Sequence, residues 1–288
     1  MELMEYEKKH TEAVKKSLAE CTVLLKKDGA FPLEQPGKIA AFGSGVRYTV
    51  KGGTGSGEVN SHYAVNIEKG LKQAGFEITT GAWLDAYDQT RIEAKKAFVR
   101  QMKAEAKAAH QNVMMYAMGK AMPEPNYEIP LEGEGNTAIY VLSRISGEGN
   151  DRPVEEGDIK LSASEKRDIL ALNAQYNKFM LVLNVGGVVD LSDVMDVKNI
   201  LVLSQLGVDT GTALADILLG KQNPSGKLTT TWAAWNQYVS MDDFEDINHT
   251  AYHEGIYVGY RYFDTFDKKE LFPFGYGLSY TEFTVEPA

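Results

Sequence analysis

Apolar residues recur along this chain at helical and strand spacings in alternation. Residues 10–26 carry apolar positions at helical spacing and run into Asp28-Gly29, a turn signal, so a helix is expected there. The short apolar run KIAAF, Lys38–Phe42, stands before glycines and reads as a strand. Ser61 is placed to cap a helix that runs to Ala74 and ends at Gly75. Residues 76–80 give the next strand, and residues 91–109, rich in Ala, Lys and Glu, a helix whose mixed charges form a solvated face. TAIYVL at 137–142 is a continuous apolar strand. Ser162 opens a capping box with Glu165, so a helix to about Tyr176 follows. FMLVLNV at 179–185 and NILVL at 199–203 are further buried strands, and 208–219 is an apolar-faced helix ending at Gly220.

Strands alternating with helices imply βαβ units. Strands apolar on both faces need cover on both sides. The expected fold class is α/β: a mostly parallel sheet flanked by helices on both faces, an α/β sandwich, with an aromatic-rich C-terminal wrap. One domain over 1–288 is expected, with its core at about 20–232 and an extension at 233–288. The proline-rich, acidic stretch 121–136 (AMPEPNYEIPLEGEGN) reads as a connection or flap. Within the extension, residues 257–263 alternate, which favours a packed strand over an aromatic carbohydrate platform.

Composition narrows the function classes. The 288 residues are 43% hydrophobic and 24% charged, enough for a sizeable core. A net charge of −10 disfavours nucleic acid as a partner, because phosphate contacts need clustered Lys and Arg. No apolar run approaches the roughly 20 residues that span a bilayer, and the charged opening MELMEYEKKHTEAVKK lacks a signal peptide's apolar core. The single cysteine, Cys21, excludes a disulfide or Cys-based zinc site within the chain and reads as a small buried hydrophobe. A reducing, cytoplasmic setting is expected.

Ligands of an open parallel sheet bind beyond the carboxyl ends of its strands. Two glycine-rich loops emerge there, GSGVRYTVKGGTGSGEVN at 43–60 and SRISGEGNDR at 143–152. The first holds neither GxGxxG nor GxxxxGK[ST], so its glycines serve positive φ angles better than phosphate binding. Thr54 and Ser56, small hydroxyl residues between glycines, suit hydrogen bonds to a close-lying ligand. The second loop holds Glu148 between Gly147 and Gly149, a prominent carboxylate. A general acid needs a raised pKa, and Arg144 or Arg152 would oppose this by pairing with it. On these residues alone two readings stand: a catalytic carboxyl, or a loop acid paired with an arginine. No cofactor or metal is expected. His253-Glu254 begins like HExxH but continues Gly-Ile-Tyr, the other histidines lack ligand spacing, and GxSxG is absent.

Six strings then coincide with one family, in order. LLKKDGAFPL (24–33) resembles the LLKNDGALPL opening of the family 3 glycoside hydrolase sandwich domain, with Lys27 where Asn is usual. KGGTGSGEVN (51–60) resembles its KGGTGSGDVN loop, and SRISGEGNDR (143–152) its SRxSGEGxDR acid/base loop. ALADILLGKQNPSGKL (213–228), EGIYVGYRYFDT (254–265) and FPFGYGLSYTEF (272–283) match its later motifs. The resemblance implies a retaining β-glycosidase acting on β-linked glucosides or oligosaccharides. In it a barrel domain supplies the aspartate nucleophile, within a Ser-Asp-Trp string absent from this chain. Glu148 then falls on the family's acid/base, and Ser56 where a sandwich hydroxyl approaches the sugar. In the family's commoner order the barrel precedes the sandwich, and some members invert this; because the chain starts close to the domain's natural beginning, the inverted order is expected, with the barrel supplied in cis or by another chain. The isolated chain is expected to be inactive; were it active, Asp242, Asp243 and Asp246 would be the first second-carboxylate candidates. Competing readings are a non-catalytic sugar- or partner-binding module and a flavodoxin-like nucleotide binder.

Overall fold

A computed structural model describes residues 3–145, 152–239, 248–249, 251–282, 284 and 286, the side chain of Ser56 aside. Helix α1 (Glu5–Ser17) is followed by a 3₁₀ turn, Leu18–Cys21, and by strand β1 (Val23–Lys26). The helix expected over 10–26 therefore stops nine residues early. Val23, Leu24 and Lys26 pair antiparallel with a later strand instead, with an irregularity at Leu25, because a sheet edge is available and the run Val23–Leu25 is apolar. The 3₁₀ turn directs Leu18 and Ala19 inward and leaves Cys21 exposed, which corrects the reading of that cysteine as a buried hydrophobe.

The remaining elements run β2 (Lys38–Phe42), α2 (Ile67–Gln73), β3 (Glu77–Ile78), α3 (Gly81–Ala108), α4 (Val113–Ala117), β4 (Thr137–Arg144), α5 (Ala163–Gln175), β5 (Lys178–Val185), β6 (Ile200–Val202), α6 (Thr210–Leu218) and α7 (Tyr260–Thr265). Asn66, not Ser61, caps α2, its side chain accepting from the Lys69 amide at 2.9 Å. The chain just before the cap is held extended instead: Val65 donates to the Val208 carbonyl and accepts from the Gly211 amide. Ser162 caps α5 through the expected capping box.

The sheet order is β1-β6-β5-β4-β2-β3, parallel throughout except for β1. β4 and β5 pair over eight residues and are buried almost end to end, as their apolar runs require. The β2-to-β3 connection steps one way across the sheet and the β4-to-β5 connection the other. Right-handed crossovers therefore place α2 and α5 on opposite faces, and the sheet is covered on both sides. The C-terminal stretch wraps this body. Trp232 pairs with Phe272 and Leu278 with Leu24 through backbone hydrogen bonds of 2.8–3.0 Å, with Trp232 and Phe272 buried in the core. The strand expected at 257–263 is instead α7, entered through Gly259 at φ +60 and anchored by Phe263, while Val258 and Tyr260 stay exposed. The stretch 121–136 is a connection tied down over the sheet, with Tyr127 buried and Ile129 and Leu131 packed on the core.

Helices α2 and α6 touch backbone to backbone at Gly70 and Gly211. A Cβ on Gly211 would lie 2.0 Å from the Asn66 carbonyl oxygen, and one on Gly70 2.2 Å from the Gly211 carbonyl. No side chain can rotate away to relieve contacts with backbone. Gly211→Ala is expected to destabilise the fold by roughly 1–3 kcal/mol in urea unfolding, the range for overpacking. An unchanged midpoint would mean that the two helices separate freely.

Candidate functional site

With the antiparallel edge strand set aside, the strands in chain order lie 2-1-3-4-5 across the sheet. The order reverses between β2 and β4, and a doubly wound sheet opens a crevice at that point. The two glycine-rich loops leave from these two strands. Gly43, at φ +91, turns the chain directly over β4: a Cβ there would sit 2.4 Å from the Val141 carbonyl oxygen. The resulting cleft has a volume of about 510 Å³ and is lined by residues of both loops and by Ala121, Met122 and Glu124.

One buried amide organises the strand ends. Asn184, in β5, accepts from the Val50 amide at 2.7 Å and the Ser143 hydroxyl at 2.8 Å. Its Nδ2 donates to the Val50 carbonyl at 2.9 Å and the Ser204 carbonyl at 2.7 Å. All four of its hydrogen-bonding positions are filled, and they join the first loop, β4 and the end of β6. Arg47 fastens the same loop to two helices, through Glu68 on α2 and Asp85 and Asp88 on α3. Lys51 closes it from within, its Nζ donating to the Val59 carbonyl and the Ser61 hydroxyl, each at 2.6 Å. Thr54 is half-buried and lines the cleft; the side chain of Ser56 lies outside the described residues.

The floor of the cleft is charged. Arg144 is 5% exposed and Glu165 1%, and they form a two-pronged pair with N–O distances of 2.8 and 2.7 Å. Arg144 also donates to the carbonyls of Asp158 and Ser143. Glu165 is the capping-box acid of α5, accepting from the Ser162 amide at 2.8 Å. Arg152 meets the Asp158 carboxylate at 2.6 Å and the Val188 carbonyl at 2.8 Å. The two arginines that flank Glu148 in sequence are thus engaged with Glu165 and Asp158. Glu148 itself, with Asp242, Asp243 and Asp246, lies outside the described residues.

Glu124 is the acid that sequence reasoning missed here. Its carboxyl is buried at the cleft, receives the Tyr87 hydroxyl, and lies 4.0 Å from Arg91. Burial, reinforced by the nearby Glu165 carboxylate, pushes its pKa up to about 7 against the pull of Arg144, Tyr87 and Arg91. Arg91 also lies over the Tyr48 ring, 4.4 Å from its centroid, so guanidinium and ring together form one wall. Among the described residues no group of three His, Cys, Asp or Glu side chains could hold a metal ion, and no helix is long and apolar enough to cross a membrane.

Residues 22–280 match the family model of the glycosyl hydrolase family 3 C-terminal domain. The chain belongs to that family. It is 36% identical to beta-glucosidase A of Butyrivibrio fibrisolvens, a match that covers 96% of this chain and 36% of the relative. It is 33% identical to a beta-glucosidase of Ruminococcus albus, over 93% of this chain and 28% of the relative. The structure of beta-glucosidase 3B from Thermotoga neapolitana with glucose superposes with a TM-score of 0.73 at 33% identity, covering 96% of this chain and 39% of that one. A beta-glucosidase from Paenibacillus barengoltzii gives a TM-score of 0.74 at 29% identity, over 98% and 30%. This family 3 domain therefore spans about a third of the length of these relatives. The fold and family expected from the six ordered strings both hold.

Proposed function

We propose that this family 3 domain is the acid/base-bearing part of a retaining β-glucosidase, with Glu148 as the acid/base. The observation that carries the reading is the cleft at the sheet's switch point, walled by the KGGTGSGEVN loop and by the residues that lead into Glu148. The engagement of Arg144 and Arg152 elsewhere supports it further, because the adjacent cations that would hold a loop carboxylate ionised already have carboxylate partners. In this reading the protonated Glu148 gives its proton to the glycosidic oxygen as the bond to the sugar's anomeric carbon breaks. A nucleophilic carboxylate from a barrel domain, about 5–5.5 Å from Glu148, captures that carbon. Glu148, now a carboxylate, takes a proton from water as the water attacks the ester, which returns both carboxyls to their starting states. Thr54 and Ser56 border the sugar, the substrate is a β-linked glucoside or oligosaccharide, and the barrel completes the site in cis or from another chain. Cys21, the only cysteine and an exposed free thiol, supports a reducing, cytoplasmic compartment.

The test is Glu148→Gln in the full-length polypeptide that contains this domain. Turnover of phenyl β-glucoside, whose leaving group needs a proton, is expected to fall at least about 10²-fold. The 288-residue chain alone is expected to hydrolyse nothing. Wild-type turnover by the Glu148 variant would remove the assignment. In that event, heat released on mixing the isolated chain with millimolar glucose or cellobiose would favour a sugar-binding module instead.

A further inference from the structure

Both ends of the Glu148 segment are held by one residue. On the entering side, Arg144 closes β4 and donates its Nε to the Asp158 backbone carbonyl at 2.8 Å. On the leaving side, Arg152 donates its Nε to the Asp158 carboxylate at 2.6 Å. The Asp158 side chain is only 7% exposed, so water competes little for that contact. Asp158 is itself set in a tight turn. Its amide donates to the Glu155 carbonyl at 3.3 Å, the Gly157 amide donates to Lys160, and the Glu124 amide reaches the Gly157 carbonyl at 2.9 Å. Arg144 is fixed in turn by Glu165 on α5, and Arg152 by the Val188 carbonyl beyond β5. Asp158 also lines both the main cleft and a second cavity beside it, which is bounded by α3 and residues 152–155. The clasp thus stands on the wall between two open spaces.

We propose that Asp158 is a positioning residue for the acid/base: by holding Arg144 through its backbone and Arg152 through its carboxylate, it sets the two ends of the Glu148 segment and so the delivery of the proton. The proposal rests on the reading of Glu148 given above. Asp158 touches no substrate in it. Its part is to fix the two arginines between which Glu148 lies in the chain, and a misplacement of about 1 Å at a reacting group can cost as much as 10²-fold in rate.

Two variants test this. Asp158→Asn removes the charge and keeps the backbone carbonyl for Arg144. The double variant Asp158→Asn, Arg152→Gln also removes the cation, so that no unpaired charge is left buried if the single variant folds poorly. In the full-length polypeptide, kcat on phenyl β-glucoside is expected to fall roughly 10- to 100-fold with KM little changed. On 2,4-dinitrophenyl β-glucoside, whose leaving group departs without a proton, kcat/KM, which reports only the step that forms the glycosyl ester, is expected to fall by no more than about threefold, while kcat, limited by the base-assisted hydrolysis of that ester, falls with it. An equal loss of kcat/KM on both substrates, or none on either, overturns the proposal. Amide hydrogen exchange in the 288-residue chain supplies a second arm. Exchange within 146–151 is expected to speed up about tenfold while the β4 and β5 amides keep their wild-type rates. Uniform acceleration would reduce Asp158 to a general stability residue. Local acceleration together with an unaffected Glu148→Gln enzyme would show that the clasp exists but that Glu148 is not the acid; loss of the Glu148→Gln activity without local acceleration would show the reverse.

Discussion

Arg144→Met is expected to cost about 3–5 kcal/mol of folding free energy, the range for removing one partner of a buried ion pair. The size follows from what the substitution leaves behind. Glu165 is 1% exposed, and of its contacts the Ser162 amide would remain as a hydrogen-bond donor. Glu124 already adds negative potential close by. A carboxylate so placed must either stay ionised at a large desolvation cost or take up a proton, and both options weaken the fold. Urea unfolding measures the loss, and the double variant Arg144→Met, Glu165→Met separates pair energy from packing. The double variant is expected to recover most of the loss, because two apolar side chains of similar length leave no charge unpaired. A single-variant loss under about 1 kcal/mol would mean that Glu165 finds another partner or reaches water.

Glu124→Gln is expected to remove a pH-dependent loss of stability of about 3 kcal/mol. Folding raises the Glu124 pKa from its ordinary 4.5 to about 7. The folded chain then holds this proton more tightly than the unfolded chain does. The contribution is fully present below about pH 4.5, declines as pH rises through the window to about 7, and stays lost above it. Glutamine keeps an acceptor for the Tyr87 hydroxyl but has no proton to lose. Other groups titrate over the same range, so the quantity to measure is the difference between wild type and variant from pH 4 to 9. The variant should become the more stable of the two above about pH 7. Parallel profiles would show that Glu124 is hydrated or paired well enough to ionise normally.

The residues that the sequence exposes and those it hides differ in a physical way. Strands β4, β5 and β6 were readable because a strand buried on both faces has to be apolar at every position. Helix α5 was readable because its cap is a local, four-residue device. Glu165, a member of that cap, gave no sign of its second partner, since Arg144 lies 21 residues away and meets it only across β4 and α5. Asn184 left a faint trace, a lone amide in an apolar run, but its partners come from three separate segments. Glu124 sits in a proline-rich acidic stretch that reads as a connection or flap. Its burial comes from docking against the 155–158 turn and Tyr87. Strand β1 was misread because three apolar residues after a helix fit either period, and the free edge of β6 decided between them.

By itself, then, the sequence determined the parallel α/β class, the two loops at one sheet edge, and membership of the family 3 domain. All of these rest on local periodicity or on ordered short strings. Tertiary structure alone decided that the loops meet at a switch point, that the arginines beside Glu148 are engaged by Glu165 and Asp158, and that Glu124 lines the cleft floor. Those facts depend on which buried groups share a low-dielectric space, and residues brought together from distant segments carry no joint signal along the chain.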